Sequence, residues 1–249
     1  MILSYDSIRV KLGNKQILES VSLSTQPGKL VGIVGANGCG KSTLIKTTFG
    51  AVPKQGGTIT LDGQPVSHFA PRELASILGY VGQDSSCAFD FTVSDVVSMG
   101  LFARKDRKNG KQIVQAAMEE LGVDKLAQRN IQSLSGGERK MVFIARAIAQ
   151  GAQTLILDEP TNHLDIRHQL FVMDYLKQSG KDTLLVIHDL RLAAHYCDYL
   201  YMICDGRVYA QGTPEEVLCT ENVHHVFGVQ GYAVGSEKGN ADFILFPEA

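Results

Sequence analysis

A chain of 249 residues with a formal net charge of −2 is long enough for one large domain and carries no surplus of positive charge for a polyanionic partner. Hydrophobic residues at 44% and charged residues at 20% supply an ordinary globular core and exclude a disordered or fibrous chain. Five cysteines, at 39, 87, 197, 204 and 219, form no CxxC pair and no metal-ligand spacing, which predicts free thiols in a reducing compartment.

In chain order, the first third predicts short strands and turns. Ile17, Val21 and Leu23 alternate with polar residues and stop at Pro27-Gly28. Leu30 to Val34 reads as a buried strand, followed by a Gly-rich loop and a helix from Lys41 toward Phe49 that ends at Gly50. Residues 57–62 alternate again and reach Asp62-Gly63, a hairpin signal. From about 92 the period becomes helical. Thr92 to Asp95 has the spacing of a capping box, and Gln112–Leu121 places apolar residues on one face before Gly122. Ser135 to Glu138 repeats the capping-box spacing ahead of Met141, Ala145 and Ile148. The chain then predicts a strand at 154–158, a helix near 166–178, a strand at 183–188, and a hairpin about Asp205-Gly206. The cluster Arg104-Lys105-Asp106-Arg107-Lys108 is interrupted by an acid and reads as a solvated loop rather than a nucleic-acid patch.

Three groups of residues carry chemistry. Gly35-Ala36-Asn37-Gly38-Cys39-Gly40-Lys41-Ser42 has the form of a phosphate-binding loop. Gly35, Gly38 and Gly40 let the backbone aim N–H groups at phosphate oxygens, Lys41 reaches the β- and γ-phosphates, and Ser42 ligates Mg²⁺. Asn37, Cys39 and Thr43 complete this nucleotide-binding stretch. Asp158 and Glu159 end an apolar strand, where Asp158 would hold Mg²⁺ through water and Glu159 would act as general base on the attacking water. Ser135-Gly136-Gly137 opens a helix with a hydroxyl, N–H groups and the positive end of the dipole, a second anion site. Strand–helix alternation around the loop predicts an α/β fold, a P-loop NTPase (RecA-like) core. It carries an antiparallel β-subdomain and an inserted α-helical subdomain. The expected boundaries are 1–84 with 154–220 for the core, 85–153 for the helical subdomain, and 221–249 for a C-terminal extension of a single domain.

Leu134-Ser135-Gly136-Gly137-Glu138 stands between the phosphate loop and the paired acids. With it, the chain resembles the ATP-binding subunit of an ABC transporter. The resemblance implies that two copies face head to tail, each closing Ser135, Gly136, Gly137 and Glu138 over the partner's ATP. It also places Gln83 as the residue that senses Mg²⁺ and links to the membrane subunit, His188 as the γ-phosphate contact, and Asp165 as the D-loop aspartate at the dimer seam. The family's aromatic adenine platform falls on Leu12, and Tyr5 lies seven residues early. Arg72–Ala75, Gly79–Asp84, Phe91–Gly100, His163–Gln169 and Val226–Val229 look like importers of iron–siderophore, haem or cobalamin.

These resemblances imply ATP and Mg²⁺, two integral-membrane permease subunits, an indirect substrate-binding protein and no nucleic acid. No apolar stretch approaches the ~20 residues a membrane span needs, and Met1-Ile2-Leu3 passes at once to Ser4, Asp6 and Arg9 rather than a signal-peptide core. The expected place is therefore the cytoplasmic face of the membrane. Segment 85–105 is the expected docking region, with Phe89, Phe91, Val93 and Met99 as apolar contacts. Other readings are an importer subunit for another small solute, a soluble ABC ATPase of translation or DNA repair, and a plain P-loop kinase or switch. A paired second domain and long coiled coils are absent from the sequence, and LSGGE with His188 argues against the last.

Overall fold

The computed structural model describes residues 1–83, 89–104, 106, 108–235 and 241–246. Asp84, Cys87, Lys105 and Arg107 of the sequence reading lie outside them. The chain divides into two compact units, Met1–His68 with Leu176–Ala249, and Phe69–Tyr175.

In the first unit, β1 (Leu3–Leu12) and β2 (Lys15–Ser24) pair antiparallel, and β3 (Leu30–Val34) leads to α1 (Lys41–Thr48). Next come β4 (Gly56–Leu61), antiparallel to β1, and the short β5 (Gln64–Pro65). Asp62 and Gly63 both take positive φ, as the right-handed twist of a two-residue hairpin demands. The second unit opens with α2 (Pro71–Ile77) and β6 (Leu78–Val81). A helical group follows: α3 (Val93–Ser98), α4 (Gly110–Glu120) and α5 (Gly136–Ala149). Then β7 (Thr154–Asp158) runs parallel to β6, and α6 (Ile166–Gln178) begins in this unit.

The chain returns to the first unit with β8 (Asp182–Val186), α7 (Leu190–Tyr196), β9 (Tyr199–Cys204) and β10 (Arg207–Gly212). It continues through α8 (Pro214–Val217) and α9 (Thr220–Phe227) to a hairpin of β11 (Gln230–Gly235) and β12 (Ala241–Phe246). The main sheet of this unit runs β5-β4-β1-β2-β10-β9-β3-β8. β3 lies parallel between β8 and β9 with all five residues buried, as a strand covered on both faces must be.

Polar groups fix the start of this parallel core. Asp182 accepts from the Met1 ammonium at 2.5 Å and the Gly28 N–H at 2.6 Å. Asp198 accepts from the Leu30 N–H at 2.9 Å and takes Lys177 at 3.0 Å. Tyr5, 2% exposed, shares a 2.6 Å hydrogen bond with Thr48, so its ring is locked between β1 and α1. Burial pushes its hydroxyl pKa well above the ordinary value.

In the second unit, α5 packs against α3 and α4. Met141 and Ala145 are buried as their spacing predicts, whereas Ile148 is half-buried. Lys140, Ile144 and Ala147 share a buried stripe instead. The expected strand at 183–188 ends at Val186, and Ile187 continues the pairing with one N–H to the Ile33 carbonyl. Among the described residues, no helix is long and apolar enough to cross a membrane.

Candidate active site

In the first unit, the phosphate loop is shaped by what surrounds its glycines. Gly35 takes φ +150°, and a Cβ there would lie 2.3 Å from the Ile203 carbonyl oxygen, a backbone atom that cannot give way. Gly40 takes φ +104° and caps α1, and a Cβ there would lie 2.5 Å from Leu18 Cδ2. The β9 backbone therefore leaves no room for a side chain at Gly35, and the left-handed φ favours glycine at Gly40, where the nearest atom is a side-chain tip. Asn37 and Gly38 are exposed at the rim, and Ser42 and Thr43 are half-buried in the first turn of α1.

Lys41 is 5% exposed. Its Nζ donates to the Gly35 and Ala36 carbonyls at 2.7 and 2.9 Å and lies 3.8 Å from Cys39 Sγ. Burial raises the Cys39 thiol pKa and the Lys41 charge partly offsets this. An ammonium, a hydroxyl, the start of an eight-residue helix and a glycine-lined backbone together suit a polyphosphate with a divalent cation.

His188 stands just beyond β8, ahead of Asp189, which caps α7 through the Arg191 and Leu192 N–H groups at 2.8 and 3.3 Å. Leu12 lies at the end of β1, 46% exposed. Tyr5 is buried and offers no stacking face.

In the second unit, Asp158 ends β7 at 0% exposure and Glu159 follows it at 6%. Glu159 takes φ +52°, a left-handed conformation that costs a non-glycine residue energy and turns its side chain out of the strand's alternation. Gln83 Nε2 donates to Glu159 Oε2 at 2.8 Å, and Asn162 Nδ2 donates to the same oxygen. The structure thus brings together Gln83 and Glu159, and adds Asn162. Asn162 has no role in the sequence reading; its place three residues after Glu159, in a turn, is the available signal.

Ser135 caps α5 with both halves of a capping box. Its N–H and Oγ donate to Glu138 Oε2 at 2.8 Å each, and the Glu138 N–H donates back to Ser135 Oγ at 3.2 Å. These bonds, from the backbone first, lower the Glu138 pKa. A Cβ added at Gly136 would meet nothing within 4 Å, so the backbone there faces open space. Asp165 is exposed and accepts from the His168 N–H and Nδ1 at 2.8 Å each, which lowers its pKa.

Lys140 is a further residue with no role in the sequence reading. It is 3% exposed, and its Nζ donates to the Gly82 and Gln83 carbonyls at 3.0 and 2.9 Å. A lysine in an otherwise apolar helical stripe is the signal that marks it.

The ABC transporter family profile matches residues 18–162. This chain belongs to the ABC transporter family. The cobalamin import ATP-binding protein BtuD of Halobacterium salinarum is 38% identical over 99% of this chain, which spans 64% of that protein's length. The iron(3+)-hydroxamate import ATP-binding protein FhuC of Bacillus subtilis is 33% identical, over 98% of this chain and 94% of that one. A solved structure titled as a metal-chelate type ABC transporter, in an inward-facing conformation, superposes with a TM-score of 0.81. It has 25% identity and covers 99% of this chain and 98% of its own. The α/β fold is accordingly that of an ABC ATP-binding domain.

Proposed function

We propose that this ABC family member is the ATP-hydrolysing subunit of an importer that takes up a metal chelate (an iron–siderophore, haem or cobalamin) through two membrane permease subunits. The hold on Glu159 carries the catalytic half of this reading. A buried carboxylate beside Asp158 is fixed at one oxygen by two neutral amides, Gln83 and Asn162. Glu159 is then placed to accept the proton of an attacking water.

Lys41 would exchange its two carbonyl partners for phosphate oxygens, which bind an ammonium more strongly because they are charged. Ser42, Asp158 and Gln83 would hold Mg²⁺, which neutralises charge on the β- and γ-phosphates when bound. His188 would contact the γ-phosphate, and Leu12 would lie against adenine with less stacking than an aromatic ring gives. Ser135, Gly136, Gly137 and Glu138 would serve the ATP of a second copy, with Asp165 at the seam.

The names of the relatives support import and the chelate class. A substrate-binding protein would deliver the chelate, and the subunit would work on the cytoplasmic face of the membrane. Among the expected docking residues, Phe89 is 69% exposed and suits a membrane partner, while Val93 at 0% belongs to the core.

Two measurements test the reading. Phosphate release by the purified chain should fall ~10²–10⁴-fold in Glu159→Gln; normal turnover would remove Glu159 from the base role. Cells lacking the chain should lose uptake of one of three labelled compounds: a ferric hydroxamate, haem or cobalamin. Unchanged uptake of all three would overturn the chelate class and leave the hydrolysis reading standing.

A further inference from the structure

We propose that Lys140 is a positioning residue for hydrolysis, a buried ammonium that ties the N-terminal part of α5 to the backbone at Gln83 and so sets where the Gln83 amide meets Glu159. The inference rests on the roles proposed above for Gln83 and Glu159.

A charge taken out of water is costly unless it is fully hydrogen-bonded, so a 3%-exposed lysine is held in place by its acceptors and they by it. Two of those acceptors are the consecutive carbonyls of Gly82 and Gln83. Other α5 side chains also grip this region. Arg146 donates to the Tyr80 carbonyl at 3.3 Å, and Gln150 to the Leu78 carbonyl at 2.9 Å. Those two hold residues of β6, which its pairing with β7 already fixes. Lys140 differs because its acceptors lie past the end of that strand, and one belongs to the residue whose side chain holds Glu159.

The path is short. Ser135, which faces the proposed partner phosphate, is five residues before Lys140, about 7.5 Å along a helix axis. From Lys140 Nζ it is 2.9 Å to the Gln83 carbonyl, and from Gln83 Nε2 it is 2.8 Å to Glu159 Oε2. A shift of the first turns of α5 on meeting a phosphate would therefore move the amide that orients the base. A merely structural lysine would stabilise α5 against β6 without affecting the rate through Gln83.

The test compares the full chain with Lys140→Met, Lys140→Arg, Gln83→Ala, the Lys140→Met/Gln83→Ala double variant, and Glu159→Gln. Lys140→Met should lower kcat about tenfold or more while ATP affinity stays within about twofold, and Lys140→Arg should recover most of the rate. The double variant should be no slower than Gln83→Ala by more than about twofold, because both changes act at one point. In the nucleotide-free protein, hydrogen exchange over 78–83 should quicken in Lys140→Met and return toward wild type in Lys140→Arg. Should Lys140→Met not fold, Lys140→Gln is read by the same criteria.

A kcat within twofold of wild type, losses that multiply in the double variant, or unchanged exchange over 78–83 would each overturn the proposal. Glu159→Gln separates the two readings. Normal turnover there removes the base assignment, whereas the exchange experiment tests the Lys140 tie without nucleotide or turnover.

Discussion

At the scale of single residues, Lys41 is a cation held by loop carbonyls that it can leave, since Gly35 and Ala36 offer dipoles where a phosphate offers full charge. Lys41→Ala should therefore weaken ATP binding more than ~10-fold, about 1.4 kcal/mol, in equilibrium titration. A loss under about threefold would displace Lys41 from the phosphates. Cys197 makes a different point. It is 5% exposed, and burial pushes its thiol up to about 12. An unfolded thiol titrates near ~8.5. Below that value both states hold the proton, and the thiol adds no pH dependence. As pH rises from about 9 toward 12 only the unfolded chain releases its proton, so stability falls. Thermal unfolding of Cys197→Ala should lose less of its Tm between pH 9 and 11 than wild type does. Parallel curves would mean that the thiol ionises in the folded state.

At the scale of elements, the helix α5 shows what a sequence can and cannot disclose. Its start was legible because a capping box is a local device: Ser135 and Glu138 need only each other and three residues of spacing. Glu138→Ala should cost roughly 0.5–1 kcal/mol in urea unfolding. Because the Glu138 pKa is lowered in the folded state, its contribution is present above the ordinary carboxylate range and is lost as pH falls through the folded value. A pH-independent difference between Glu138→Ala and wild type would contradict the box.

The hairpin turns at Asp62-Gly63 and Asp205-Gly206 were legible for the same reason, since φ of +47° at each Asp and +80° or +71° at each Gly is a requirement of two residues alone. The buried face of α5 was not, because Lys140 belongs to it only through carbonyls 57 and 58 residues away. Asn162 escaped notice too, as its partner Glu159 bends back through a left-handed residue that no periodicity announces. The pairing of β11 with β12 was not legible either, because five residues separate them in the sequence and the two-residue hairpin signal does not apply.

At the scale of the whole molecule, the chain carries one phosphate loop and also a capped, glycine-lined helix start at Ser135 that opens outward. If that start serves the ATP of a second copy, hydrolysis and dissociation are linked: the phosphate that bridges the two copies is the one that leaves. Glu159→Gln keeps the size of the side chain and removes its ability to take a proton, while in the proposed site Lys41, Ser42 and Asp158 would still hold ATP and Mg²⁺. The closed pair then lacks its exit step. This variant should run as a dimer on gel filtration with ATP and Mg²⁺ and as a monomer without them. Adding Ser135→Arg should abolish the ATP-dependent dimer, because the long side chain fills the space over Gly136 and removes the hydroxyl. The double variant should still bind ATP within about twofold of Glu159→Gln alone, since its own phosphate loop is untouched. An inactive Glu159→Gln that stays monomeric with ATP, even beside the proposed permease subunits, would refute the shared site. Loss of ATP binding in the double variant would instead place Ser135 in the structural support of its own chain's nucleotide.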